Sequence, residues 1–228
     1  MKGSHHPPPP LTVEVRGPYA CFTRPELKTE RVSYPVMTPS AAKGLLEAIY
    51  WKPEFSYVVT VIEVLAEIKW ASIRRNEVSS MITMDWVRRA ETDPSLRYDV
   101  ETDRDQRNTV FLKDPWYRIQ AQVRLRSHAD QSAVAYREQF RRRVDRGACF
   151  SHPFLGTREC SVESFGKATS RRPISVSEDL GVMLHSIRYG KKGESYTWFD
   201  AQLQDGFLRV PEHGIELASA GTQPGRGA

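Results

Sequence analysis

The sequence predicts an α+β fold, and three observations lead to that prediction. Several segments alternate apolar and polar residues with a period of two, as half-buried strands do. Two segments carry helix-starting and helix-ending residues around an apolar stripe. Up to about residue 165 the order is strand, helix, strand, strand, helix, strand, which is typical of the ferredoxin-like βαββαβ arrangement of RNA-recognition modules. The later strands predict a small antiparallel sheet, and because unrelated functions share this topology, the fold alone identifies none of them.

The composition is that of an ordinary globular chain. Of the 228 residues, 39% are hydrophobic and 27% are charged, which excludes collagen-like, disordered and coiled-coil proteins. No stretch approaches the ~18 apolar residues of a membrane-spanning helix, and the N-terminus lacks the apolar region of a secretory signal. We therefore expect a cytoplasmic protein without a membrane partner.

The N-terminal third begins with an appendage and a strand. Residues 1–10 resemble an expression tag followed by a stiff polyproline spacer, so we leave them out of the fold. Residues 11–15 alternate as a half-buried strand, and Gly17-Pro18 ends it. The charged, proline-containing segment 19–37 predicts a long surface loop or irregular hairpin.

The first helix has a clear start. Thr38 is able to accept the unpaired amides of a helix beginning, and Pro39 suits the first turn because its missing N–H is not needed there. The apolar stripe continues to Ile49, and Trp51-Lys52-Pro53 ends the helix. Residues 55–70 are rich in Val, Ile and Tyr and predict one long strand.

The middle of the chain returns to strands after a polar insertion. Residues 74–98 lack a steady period, so we predict a loop with a short helix around residues 84–89. Residues 109–112 and 116–126 predict strands, the second with one apolar face and one polar, basic face.

The second helix is predicted from about residue 131 to residue 146, with Asp130 as its cap and Gly147 as its end. The excess of basic over acidic residues is modest, at +5, but five arginines cluster here. They are Arg137, Arg141, Arg142, Arg143 and Arg146.

The remaining strands complete the predicted organisation. They cover residues 159–165, 182–189, 196–203 and 207–210, and Asp205-Gly206 is a strong hairpin signal between the last two. The predicted domains are a ferredoxin-like domain over residues 11–165 and a small β-sheet domain over residues 166–213, with a flexible tail at residues 214–228.

Motifs of the better-marked enzyme classes are absent. The sequence contains no Walker A loop, dinucleotide fingerprint, HExxH or GxSxG. The three cysteines include no CxxC pair, and the isolated histidines lack ligand spacing. We therefore predict reduced thiols, no bound metal and no cofactor.

The remaining chemistry is basic and aromatic. Tyr50, Trp51 and Lys52 end the first helix, Arg74 and Arg75 follow the long strand, and the arginine cluster follows in the second helix. Such residues pair with phosphates and stack on unpaired bases, which predicts an RNA-binding groove. The alternative is that Trp51 lies in the core and the arginines form a solvated helix face.

Five stretches carry a family resemblance. They are residues 17–25 (GPYACFTRP), 31–42 (RVSYPVMTPSAA), 47–53 (EAIYWKP), 74–78 (RRNEV) and 154–160 (FLGTREC). Together they resemble the type I-C (Dvulg) members of CRISPR-associated family 5. The match spans roughly residues 11–160 and is weaker beyond them.

This resemblance implies both a fold and an activity. The fold is a RAMP-type ferredoxin-like domain followed by a small β domain. Family members cut the repeat hairpin of precursor CRISPR RNA, keep the 5′ handle and become a subunit of the type I-C surveillance complex. The implied reaction is metal-independent: the ribose 2′-OH attacks the adjacent phosphorus and leaves a 2′,3′-cyclic phosphate and a 5′-OH. DNA is a further candidate partner.

The resemblance also assigns site residues. Tyr50 matches the tyrosine of the family's Ile-Tyr-Trp motif and is the first catalytic candidate. A Lys-His pair found in several members falls on Ala135 and Tyr136. Either Arg137, Arg141 or His128 replaces it, or the reaction is slower, or the protein relies on Tyr50 and on clamping of the phosphate. The alternative function, which the missing pair favours, is a non-catalytic subunit that holds the handle. The candidate RNA-binding residues are Arg24, Lys28, Arg31, Lys43, Trp51, Lys52, Arg74, Arg75, Tyr136, Arg141 and Arg142.

Overall fold

The computed structural model describes residues 9–27, 30–190 and 193–216, and this part of the chain forms a mixed α/β fold with a large antiparallel sheet. The elements are β1 (Leu11–Arg16), β2 (Tyr19–Ala20), β3 (Arg31–Val32), α1 (Pro39–Ile49), β4 (Phe55–Val64), β5 (Lys69–Val78), α2 (Met84–Thr92), β6 (Arg104–Lys113), β7 (Trp116–Leu125), α3 (Ala133–Arg146), β8 (Ser164–Gly166), β9 (Glu178–Gly190), β10 (Gly193–Gln204) and β11 (Phe207–Arg209).

The large sheet has seven strands in the order β8-β1-β7-β4-β11-β10-β9. A second sheet has the order β2-β6-β3, with β5 also paired to β6. The C-terminal strands continue the first sheet because Leu208 of β11 pairs with Ile62 of β4. The division into domains at residues 165 and 166 therefore stays a prediction, and the proposed boundary falls inside β8.

The core lies between the large sheet and the helices α1 and α3. Strand alternation places Val13, Ile62 and Ile119 in one buried cluster, and Leu45 of α1 and Phe140 of α3 belong to the same cluster. This packing brings the end of α1 beside α3, which positions the candidate site described below.

Both predicted helices form, and their ends follow local chemistry. The Thr38 hydroxyl accepts from the Ala41 amide at 3.3 Å, and α1 ends as Tyr50 turns extended. The cap of α3 is Ser132, whose hydroxyl accepts from Ala135, and the prediction of Asp130 as cap was wrong. Asp130 instead accepts from the Tyr136 hydroxyl at 2.8 Å. Gly147 ends α3 in the left-handed conformation, as predicted.

The single strand predicted over residues 55–70 was wrong. Strand β4 ends at Val64, and the chain passes through buried Leu65 to begin β5 at Lys69 in the second sheet. The region predicted as loop from residue 74 contains the second half of β5, which pairs with β6, whereas the short helix forms as α2. Neither face of β5 is buried, so the strand lacks the apolar alternation that would have marked it.

The C-terminal hairpin forms as predicted. Asp205 and Gly206 both have positive φ, of 48° and 79°, and join β10 to β11 as a two-residue turn. The predicted strand over residues 159–165 is shorter and forms only β8. Within the predicted tail, Ile215 bridges to Trp198, and residues 217–228 lie outside the described residues.

Part of the polar face of β7 carries a buried ion network centred on Arg118. The Arg118 guanidinium lies 2.7 Å from Glu14 Oε1 and 2.5 Å from Glu63 Oε2, which joins β7 to β1 and β4. The three side chains expose only 12%, 6% and 4% of their surfaces. Thr169 also donates to Glu14, so the network fastens the segment after β8 onto the sheet.

Two further observations concern sequence expectations. None of the helices in residues 9–27, 30–190 and 193–216 is long and apolar enough to span a membrane. The three cysteines are free, and burial raises the pKa of the Cys21 and Cys160 thiols.

Candidate active site

An aromatic cluster forms where the end of α1 meets α3. The ring centroid of Phe55 lies 5.7 Å from that of Tyr50 and 4.9 Å from that of Tyr136. Phe55 is fully buried at the start of β4, and Tyr50 follows the last residue of α1 directly. The packing of these rings therefore holds the chain at the end of α1 and fixes the position of the Tyr50 side chain.

Tyr50 combines a buried ring with an unengaged hydroxyl. The residue exposes 7% of its surface, and the hydroxyl has no hydrogen-bond partner among the described residues and is not enclosed. Burial raises the pKa of Tyr50, and the positive charge of Arg143 acts in the opposite direction without reversing the shift. The hydroxyl thus keeps its proton at neutral pH and is suited to donate it rather than to act as a base.

Arg143 is a half-buried cation beside the ring of Tyr50. Its guanidinium carbon lies 5.3 Å from the Tyr50 ring centroid, and Nη1 donates to the Ile49 carbonyl at 3.3 Å. Its Nε is enclosed and has no partner in the described part of the chain. The sequence prediction did not select Arg143 among the clustered arginines. Its position next to Val144 and three after Phe140, both on the buried stripe, is the signal that would have found it.

Two carboxylates border the same cluster. Asp130 accepts from the Tyr136 hydroxyl at 2.8 Å. Burial is the larger cause and this hydrogen bond the second cause that raise the pKa of Tyr136 to about 12. Glu54 has one enclosed carboxylate oxygen without a described partner, and its charge acts on both tyrosines. Sequence reasoning missed Glu54 because no second carboxylate stands near it in the chain.

His128 contacts the segment between α1 and β4. Its Nε2 is 3.1 Å from the Pro53 carbonyl oxygen, three residues after Tyr50. Because a carbonyl only accepts, Nε2 carries the proton in the neutral ring and Nδ1 remains an acceptor. The structure thus places His128 against the segment that joins Tyr50 to β4.

Arg137 lies elsewhere. It is 4% exposed, and its guanidinium donates to the side chain of Gln122 at 3.3 Å and to the carbonyl of Pro9. These contacts hold the chain that enters β1 against β7. The structure does not bring Arg137 to the Tyr50 cluster.

Several predicted RNA-binding residues surround the cluster. Trp51 exposes 48% of its surface, which contradicts the alternative that it is a core residue, and Lys52 beside it is exposed. Arg141 pairs with Glu138, and Arg142 donates to Gln139, both on the exposed side of α3. Tyr136 is buried within the cluster itself.

The other predicted RNA-binding residues lie apart from the cluster. Arg31 and Arg75 each lie 3.1 Å from Glu159 in an ion network of the second sheet. Arg74 is exposed on β5. Arg24 covers the Tyr34 ring at 4.6 Å, Lys43 lies 3.8 Å from Glu47 on α1, and Lys28 is outside the described residues.

Comparison with known proteins shows which family the sequence matches. The family described as CRISPR-associated protein (Cas_Cas5), in its Cas5d form, matches residues 11–211. The chain belongs to this family. The resemblance found in the sequence is thereby confirmed, and the match extends well beyond the stretches that first carried it.

Two Cas5d relatives are 40% identical to the chain. One, from Mannheimia succiniciproducens, aligns over 214 residues, covering 88% of this chain and 94% of its own length. The other, from Thermus thermophilus, aligns over 220 residues, covering 88% of this chain and 91% of its own length. Both proteins bear the name CRISPR pre-crRNA endoribonuclease Cas5d.

Solved structures share the fold of this Cas5 protein. A crystal structure of a CRISPR-associated protein has a TM-score of 0.64 at 22% identity and covers 89% of this chain and 91% of its own. A functionally uncharacterized protein of Streptococcus mutans has a TM-score of 0.62 at 20% identity, with coverages of 89% and 92%.

Proposed function

We propose that the chain is a precursor CRISPR RNA endoribonuclease that cuts the repeat hairpin. The observation that carries the proposal is the protonated hydroxyl of Tyr50, which has no partner among the described residues and lies at the end of α1 near the guanidinium of Arg143 and the carboxylates of Glu54 and Asp130. The two Cas5d relatives named for this activity support it. So do the exposed cations and the exposed Trp51 around the cluster, which are residue types that hold phosphates and stack on bases.

The proposed reaction is attack by the ribose 2′-oxygen on the adjacent phosphorus. A base takes the 2′-OH proton, the bond from phosphorus to the 5′ oxygen breaks, and an acid protonates the leaving oxygen. Tyr50 is the proton donor, because its hydroxyl is protonated and free. The candidate bases are the Nδ1 of His128 and the carboxylate of Glu54. The products are a 2′,3′-cyclic phosphate and a 5′-OH.

We also propose a ferredoxin-like assignment for the first part of the fold, which the strand order supports. Within the large sheet, β8-β1-β7-β4 has the order 4-1-3-2 when these strands are numbered along the chain, with α1 and α3 as the two crossover helices. This order supports a ferredoxin-like, RAMP-type domain over residues 11–165. The strands β9, β10 and β11 would then form the small β domain, joined to it through β4.

The proposed partners follow from the proposed endoribonuclease activity. After cleavage the protein keeps the 5′ handle of the CRISPR RNA and becomes a subunit of the type I-C surveillance complex in the cytoplasm. DNA is a second polyanion that the exposed cations are able to bind.

Affinity for the repeat hairpin is expected to fall with salt. About four phosphate contacts would release enough counterions to weaken binding about 10²-fold between about 50 and 200 mM salt. Replacing both Arg141 and Arg142 with Gln should lower the slope of log affinity against log salt by about two. Filter binding or fluorescence anisotropy measures this. The matched control replaces Arg188 and Arg209, exposed arginines of β9 and β11, and an equal loss of slope there would contradict the assignment.

Chelation of metals is expected to leave cleavage intact. The proposed acid, base and cation are all side chains of this protein, so the reaction needs no divalent ion as acid or nucleophile. The purified protein, incubated with its cognate repeat RNA in EDTA, should yield a 2′,3′-cyclic phosphate, detected by mass spectrometry. Loss of cleavage in EDTA and its return with Mg²⁺ would contradict the mechanism.

A second candidate function is a non-catalytic subunit that holds the handle. It is favoured by residues 135 and 136: Ala135 carries no ionisable group, and the Tyr136 hydroxyl is already bonded to Asp130. Tight binding without cleavage under all conditions would establish this function instead.

A further inference from the structure

We propose that Arg143 is a catalytic residue that stabilises the negative charge on the pentacoordinate phosphorus, an inference that rests on the proposed function. Such a cation is what the reaction needs and what residues 135 and 136 do not supply. The sequence offered Arg137 and Arg141 for the role, and the structure points to a different arginine of the same helix.

The location of Arg143 is the first argument. Its guanidinium lies beside the ring of Tyr50, the proton donor of the proposed reaction, at 5.3 Å from the ring centroid to the guanidinium carbon. It also lies at the C-terminal end of α1, where the helix dipole favours a positive charge. A phosphate that accepts from the Tyr50 hydroxyl would therefore lie within reach of this cation.

The donor capacity of Arg143 is the second argument. A guanidinium carries five N–H donors, and the structure engages one nitrogen, Nη1, with the Ile49 carbonyl. The enclosed Nε has no partner among the described residues. Nη2 also has no partner among the described residues and, unlike Nε, is not enclosed, so a phosphate oxygen is able to accept from it. The side chain is also held in place before substrate arrives, which is the condition for effective charge stabilisation.

The neighbouring arginines are less suited to the role. Arg137 is occupied by Gln122 of β7 and by the carbonyl of Pro9. Arg141 is 47% exposed and paired with Glu138, and Arg142 is exposed. Water and salt screen such exposed charges, so they are suited to hold the RNA backbone rather than to stabilise a transition state.

The test is single-turnover cleavage by the full-length protein with saturating repeat RNA. Arg143→Gln is expected to cleave about 10²–10³-fold more slowly, with RNA affinity within a few fold of wild type. Added guanidinium chloride at millimolar concentration should restore part of the rate in a smaller variant, Arg143→Ala. Arg209→Gln, at an exposed arginine of β11 outside the proposed site, is the matched control and should change neither the rate nor the affinity.

A purely structural role at the end of α1 gives different results. It would lower the melting temperature and the rate together, and guanidinium would restore neither. If Arg143→Gln does not fold, Arg143→Lys keeps the charge near Ile49 and is expected to remain active within about tenfold of wild type. The inference would be overturned if Arg143→Gln folds and cleaves at the wild-type rate. It would also be overturned if Arg143→Lys folds but is inactive and added guanidinium does not restore its activity. An inactive wild type would instead overturn the proposed function.

Discussion

Replacing Tyr50 with phenylalanine is expected to lower the single-turnover cleavage rate by about 10²–10⁴-fold, the usual contribution of a positioned acid or base. The ring stays packed against Phe55, and only the hydroxyl, which has no partner among the described residues, is lost. RNA affinity should therefore change little. The measurement compares the rate at saturating protein with the dissociation constant from anisotropy.

The control for Tyr50 is Tyr19→Phe, in β2 and outside the cluster, which should cleave at the wild-type rate. Because burial keeps the pKa of Tyr50 above its ordinary value near 10, the rate should also not decline between pH 7 and 9 through loss of this proton. Cleavage by Tyr50→Phe at the wild-type rate would remove Tyr50 from the reaction.

The second large effect is on stability. Arg118→Met is expected to lower the free energy of unfolding by about 3–5 kcal/mol, because it leaves the carboxylates of Glu14 and Glu63 buried without their cation. Urea unfolding followed by circular dichroism measures the loss. Restoring charge balance with Glu14→Gln and Glu63→Gln in the same chain should recover part of it.

A matched control lies on the same strand. Arg124 forms an ion pair with Glu212, but both side chains are more than half exposed, so Arg124→Met should cost about 0–1 kcal/mol. Equal losses for Arg118→Met and Arg124→Met would show that burial of the network does not matter.

The same ion network makes the free energy of unfolding depend on pH. Burial raises the pKa of Glu14, but hydrogen bonds from Thr169 and Arg118 outweigh it, so the net shift is downward from 4.5. The unfolded chain therefore binds this proton more readily than the folded one. The contribution of Glu14 is fully present above pH 4.5 and is lost as the pH falls below that value.

The parts of the fold that were predictable depend on local chemistry. Thr38 with Pro39 starts α1, Gly147 ends α3, and Asp205-Gly206 forms the hairpin, because each of these residues acts through its own backbone or its near neighbours. Strand β5 was not predictable in the same way, since a strand without a buried face carries no alternation. The pairing of β11 with β4 joins residues far apart in the chain, which no local pattern records.

The candidate site was predictable in part for a similar reason. Tyr50 was found because it belongs to a family motif, and His128 because histidines are few. Charge counting could not say which arginine of α3 lies beside Tyr50, because that depends on how α3 packs against the end of α1. One carboxylate oxygen of Glu54 is enclosed without a partner among the described residues. That environment arises from tertiary packing, so no pattern in the sequence predicts it.

The central claim is that a ribose 2′-OH of the RNA is the nucleophile in a site built around Tyr50. The direct measurement is cleavage of the cognate repeat hairpin by the wild-type protein, compared with the same RNA carrying a single 2′-deoxy nucleotide immediately 5′ of the cut. We expect complete loss of cleavage at that position with unchanged affinity. Cleavage of the deoxy substrate at the wild-type rate would contradict it.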